Sequence, residues 1–148
     1  MLCNAVSKGG NFLLNVAPGP DGDWDDSSYA RLREIGAWMK VNDEAIYGTT
    51  FIKPYKEGKF VFTKKGNDVY AIYLADENEL QMPEIIPVNC FPKKRPAEIS
   101  LLGYSKPIIT ALNNAGGFNI NIPEKLRNNP PAKHAWVFKI TGLAEDLK

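Results

Sequence analysis

Two hydrophobic periodicities divide the chain. From Phe12 to Val16 the apolar residues Phe12, Leu13, Leu14 and Val16 are nearly continuous, which predicts a short strand buried on both faces, as in a parallel sheet. A Pro-Gly-rich loop follows, and Asp25, Asp26, Ser27 and Ser28 then supply side-chain oxygens suited to capping a helix start. Over residues 28–41, Tyr29, Leu32, Ile35, Gly36 and Met39 recur at helical spacing, with Arg31, Arg33, Glu34 and Lys40 mostly opposite. Gly36 on the apolar face predicts close approach of a neighbouring element. This is the pattern of one βα unit over residues 1–48.

Beyond residue 48 the period changes. The stretch KFVFTKKGNDVYAIYLA predicts two strands joined around Lys65-Gly66-Asn67-Asp68. In GFNINIP, Phe118, Ile120 and Ile122 alternate with Asn119 and Asn121, and Trp136, Phe138 and Ile140 alternate in AWVFKI. EIIPV, AEISLLG and KPIITAL are further short strand candidates. Pro83, Pro87, Pro92, Pro96 and Pro107 oppose long helices between them. Residues 49–148 are therefore expected to form an antiparallel β-sandwich. The expected fold class is mainly β: that sandwich, preceded by a single βα unit. A lone parallel strand cannot satisfy its own ladder, so the first unit reads as part of something larger.

Composition narrows the chemistry. The chain has 148 residues, a net charge of +1 and 24% charged residues, ordinary values for one globular domain or two small units. Lys93, Lys94 and Arg95, between two prolines, read as a solvated loop, so no nucleic-acid partner is expected. No apolar run approaches the ~20 residues of a membrane helix, and the first residues lack the pattern of a signal peptide. Cys3 and Cys90 have no partner spacing that defines a zinc site or disulfide framework. His134, the single histidine, reads as a strand-entry residue. Asp21, Asp23 and Asp25 imitate the start of a calcium loop, but Asp26 and Leu32 stand where Gly and Glu are required. No metal or cofactor is expected.

Four motifs then point to a family. Ser-Lys-Gly-Gly-Asn occupies residues 7–11, Leu-Leu-Asn residues 13–15, a Gly-Pro-x-x-Asp-Gly-like loop residues 17–22, and an Asn-Gly-Glu-Ala-Ile-Tyr-like turn residues 42–47. Together they resemble the end of the catalytic barrel in the α-L-fucosidase family of glycoside hydrolases, with Ala17 and Asp43 departing from the commoner glycines. The remainder resembles the C-terminal β-sandwich of those enzymes. The resemblance implies a parent with a (β/α)₈ barrel that removes α-linked L-fucose from glycans with retention of configuration. Such chemistry needs two carboxyl groups about 5–5.5 Å apart. In the family both lie upstream of the part seen here, so no catalytic residue is carried over and the chain alone is expected to be non-catalytic and structural.

In an intact parent the acidic loop would face the sugar-binding mouth, which makes Asp21 and Trp24 candidate substrate-edge residues. Trp38 and Trp136 read as packing residues. The implied partners are the missing catalytic barrel and, for the parent, a fucosylated glycan. The resemblance also implies a periplasmic, secreted or lysosomal parent. Without the barrel, Leu13, Leu14, Leu32 and Ile35 should be bared, with self-association through the helix 28–41 face as one consequence. Two rival readings are a stand-alone carbohydrate-binding sandwich and a ligand-free assembly domain.

Overall fold

The computed structural model describes residues 1–91 and 98–144. The Lys93-Lys94-Arg95 loop expectation lies outside the described residues. The described residues form two short helices, one longer helix and eight strands: α1 (Leu2–Ser7), α2 (Asp26–Asn42), β1 (Thr50–Glu57), β2 (Phe60–Lys65), β3 (Asp68–Leu74), β4 (Ile85–Val88), β5 (Ile99–Leu101), β6 (Ile109–Leu112), β7 (Phe118–Asn121), α3 (Glu124–Asn128) and β8 (Ala135–Ile140). A 3-10 turn, Asp43–Ala45, follows α2 directly.

The strands form a sandwich of two antiparallel sheets, one ordered β1-β2-β3-β8-β5 and one ordered β4-β7-β6. The hairpin between β2 and β3 pairs Lys65 with Asp68 and turns through two residues. Gly66, at φ 59, takes the left-handed conformation that a tight hairpin demands at its first loop position. Phe62, Ala71, Trp136 and Phe138 of the larger sheet face Val88, Phe118 and Ile120 of the smaller one across the core. The opposite face of the larger sheet is also covered. Val61, Tyr70, Ile72 and Val137 pack there under Cys3, Ala45 and Ile46, with Trp38 and Met39 at the margin. Two-sided burial explains why FVF and VYAIYL are continuous apolar runs rather than alternating ones.

The first unit departs from expectation in two respects, at its strand and at Gly36. Residues 12–16 form no strand, and Leu13 is 91% exposed. A strand needs a neighbour to satisfy its N–H and C=O groups, and the described residues place none beside it. The helix does form, slightly longer than residues 28–41. Asp25 caps it, its carboxylate accepting from the Ser28 N–H at 2.7 Å. On the expected apolar face Tyr29, Leu32 and Met39 are half-buried, while Ile35 is exposed. A Cβ placed on Gly36 would meet nothing within 4 Å, so the close approach expected there is not made by any described residue.

Candidate functional site

The acidic loop is built by its own backbone. The Gly19 N–H donates to the Asp23 carbonyl at 2.6 Å, and the Gly22 N–H donates to the Gly19 carbonyl at 3.0 Å. Asp23 Oδ1 accepts from the Trp24 N–H at 2.8 Å and from the Tyr29 hydroxyl at 2.5 Å. Asp25 Oδ1 also accepts from the Ser27 hydroxyl at 2.9 Å. These bonds hold both carboxyls below their usual range, Asp23 chiefly through Tyr29 and Asp25 chiefly through the Ser28 N–H. A glycosidase acid must instead keep its proton near neutral pH, which takes enclosure. Asp23 and Asp25 are exposed and committed as acceptors.

The two candidate rim residues behave differently. Asp21 is exposed, with no hydrogen bond or ion pair to any described residue. Trp24 is 41% exposed, and its indole lies 5.6 Å from the Tyr29 ring at an interplanar angle of 56°. Trp24 immediately precedes the capping Asp25, and Tyr29 is the fourth residue inside the helix. That spacing is a hydrophobic staple, so one face of Trp24 fixes the chain's entry into α2. The rest of the side chain is partly open to solvent. Trp38 and Trp136 act in packing: Trp38 Nε1 donates to the Ala135 carbonyl at 2.9 Å, and Trp136 is 2% exposed.

His134 sits where a strand-entry residue should, immediately before β8, but its backbone is unusual. The Ala135 N–H donates to the Lys133 carbonyl at 2.8 Å across it, and its φ is 69. That is a γ-turn of the strained hand. The imidazole lies 3.9 Å from the Glu34 carboxylate, beside a cleft of about 360 Å³ between α2 and residues 131–134. A second, more apolar groove of about 420 Å³ opens between Leu2, Phe12, Leu14, Ile35 and Trp38. Among the described residues no group of three His, Cys, Asp or Glu is placed to hold a metal ion. No helix among them is long and apolar enough to cross a membrane.

Sequence reasoning missed the polar cluster that joins the two halves. Glu44 Oε1 accepts from Tyr70 at 2.6 Å and from Lys139 at 2.5 Å, and Lys139 also lies 3.3 Å from Asp68. The Lys139 ammonium, and after it the Tyr70 hydroxyl, holds the Glu44 carboxyl below its usual range. Burial, reinforced by Glu44, pushes the Tyr70 phenol up to about 12. Nearby, the Thr63 hydroxyl donates to the Ala45 carbonyl at 2.8 Å, and the Lys65 ammonium to the Tyr47 carbonyl at 3.1 Å. The turn at residues 42–47 is thus fastened to β2, β3 and β8. Its Asn-Asp-Glu-Ala-Ile-Tyr sequence was a visible signal, but its partners are too distant along the chain for spacing to reveal them.

Residues 1–44 match the model of the α-L-fucosidase family, and residues 53–141 match that of the α-L-fucosidase C-terminal domain. A tissue α-L-fucosidase from Bos taurus is 34% identical over 96% of this chain and 30% of its own length. An α-L-fucosidase from Branchiostoma floridae is 31% identical over 97% of this chain and 32% of its own. Among solved structures, α-L-fucosidase isoenzyme 1 from Paenibacillus thiaminolyticus superposes with a TM-score of 0.76 at 28% identity, over 94% of this chain and 32% of that one. The chain spans about a third of the length of these relatives. Two family models in sequence order, together with full-length fucosidase folds over nearly all its residues, establish that the chain belongs to the α-L-fucosidase family and carries its C-terminal domain.

Proposed function

We propose that this chain is the non-catalytic C-terminal part of an α-L-fucosidase-type retaining glycoside hydrolase, made of the last βα unit of the barrel (1–48) and a sandwich (49–148) that braces it. The observation that carries this reading is an asymmetry of burial. The side of the first unit that meets the sandwich is closed by Ala45, Ile46, Trp38 and the Glu44 cluster. Its other side leaves Leu14 43% and Ile35 39% exposed along an open groove, and Leu13 91% exposed outside it. Apolar side chains in that arrangement are built to be covered, and a catalytic barrel, as in the relatives, is the proposed cover. In the assembled enzyme the acidic loop stands at the sugar-binding mouth, where Asp21 and the exposed part of Trp24 edge the substrate, a fucosylated glycan. The relatives named as tissue and plasma enzymes support a place outside the cytoplasm.

The test is release of nitrophenol from nitrophenyl α-L-fucoside by the purified, folded chain. The expected result is no release above buffer. Turnover abolished by Asp21→Asn or Asp23→Asn would overturn the reading and make the acidic loop an active site.

A further inference from the structure

Among the described residues the sandwich has four sheet edges, and three are protected. The outer edge of β1 carries Lys53, Pro54 and Lys56 and is interrupted by a register shift between Phe51 and Lys56. The strand β4 contains Pro87, and Glu84 lies just before it. The short strand β5 is bridged at Ser100 to Pro107. Lysine, proline and bulges are the usual devices that stop a sheet from extending into another chain. The fourth edge, β6, has none of them. It reads Ile-Thr-Ala-Leu, and no residue from Pro107 to Pro123 is charged. It pairs with β7 alone among the described residues.

The register shows which groups this edge offers. The Asn113 N–H donates to the Gly117 carbonyl at 3.0 Å, continuing the pairing of Leu112 with Phe118. In an antiparallel ladder, bonded and non-bonded pairs alternate. Asn113, Ala111 and Ile109 therefore direct their N–H and C=O groups at β7, and Thr110 and Leu112 direct theirs outward. Leu112 lies on the same side of the sheet as the fully buried Phe118, yet it is 58% exposed because the sheet stops at β6. Ile109, on the outer side, is 70% exposed.

We propose that β6 is a dimerisation edge, with a second copy of this chain pairing antiparallel about a two-fold axis at Ala111 to make one continuous six-stranded sheet. That axis sets Thr110 of each copy opposite Leu112 of the other. The outward N–H and C=O groups of both residues are satisfied in four hydrogen bonds. Leu112 is covered by the neighbouring strand on the core side, and the small Ala111 sits at the axis. A second copy fits because the outward set is symmetric about Ala111, and a strand without charge meets no like charge across a two-fold. The contact is short, so the dimer is weak and concentration-dependent.

The test is sedimentation equilibrium of the 148-residue chain from about 10 µM to about 1 mM, the range of a weak interface, combined with amide hydrogen exchange. A dimer is expected whose dissociation constant rises about ten-fold or more in Ala111→Lys, where two ammonium groups face each other. Ile35→Lys, on the exposed α2 face, should leave it unchanged. The Thr110 and Leu112 amides should gain protection as concentration rises, while those of Ile109 and Ala111 stay constant. A monomer throughout the range overturns the proposal. So does a dimer lost in Ile35→Lys but kept in Ala111→Lys. Exchange at Thr110 and Leu112 that ignores concentration overturns it whatever the variants do.

Discussion

Replacing Gly36 with alanine separates two states of α2. Gly36 lies in the interior of the helix, and the added methyl would meet nothing within 4 Å. With no steric cost, the helix gains the backbone preference of alanine over glycine, about 1 kcal/mol. The helix is tied to the rest of the fold through the Trp38 indole and the buried Asn42, so the gain should be felt in cooperative unfolding. For a chain of this size it corresponds to a rise of about 2–4 °C in Tm, measured by circular dichroism and checked by urea titration. An unchanged or lowered Tm would refute the open placement of Gly36. In an intact enzyme whose barrel packs on this face, the same methyl is an overpacking of about 1–3 kcal/mol. A stabilising effect in the isolated chain and a destabilising one in the whole protein would locate the barrel's contact at this residue.

Further substitutions probe the sandwich. Gly117→Ala would set a Cβ 2.0 Å from the Val88 carbonyl oxygen and 2.7 Å from the Asn89 Cα. Backbone obstacles of this kind yield poorly, so a loss of about 3 kcal/mol is expected, and an unchanged urea midpoint would contradict it. Trp38→Phe leaves the Ala135 carbonyl without its indole donor, and about 1–2 kcal/mol of stability should go with it. The Glu44 carboxyl is held below its unfolded range by Lys139 and Tyr70, so its contribution is present above that range and lost as pH falls through the folded value. Glu44→Gln should flatten the acid limb of stability below about pH 5, and an unaltered limb would count against the cluster. The Tyr70 phenol is raised to about 12. Its contribution is complete below the unfolded value of about 10 and disappears as pH rises to the folded one. Tyr70→Phe should remove that alkaline loss, as followed by tryptophan fluorescence.

The elements legible in the sequence were those whose pattern depends on near neighbours. The β2–β3 hairpin was marked by its glycine turn, β7 and β8 by alternation, and α2 by its capping Asp25. Residues 12–16 carried an apolar run suited to a strand, but a run records only that burial is wanted, and the partner strand is absent from the described residues. The helix α1 and the strand β1 went unread. The first is too short to show a period, and Pro54 interrupts the second. At the candidate site, Trp24 was visible as an exposed aromatic, but its staple with Tyr29 required the helix start to be placed to the residue. The Glu44 cluster was invisible because Lys139 lies at the far end of the chain. Side-chain meetings of that kind follow from sheet order, which no local pattern encodes.

Cys3, Ala45 and Ile46 roof the outer face of the larger sheet, and this bears on how such a chain can be recombined. A graft that moves residues 49–148 onto a foreign barrel would carry Val61, Ile72 and Val137 away from the residues that keep them dry. The seam between the two halves is therefore a shared inheritance. A change at Ala45 or Ile46 has to be answered by one on β2, β3 or β8, and a chimaera keeps this face dry only when the two sides of the roof fit each other.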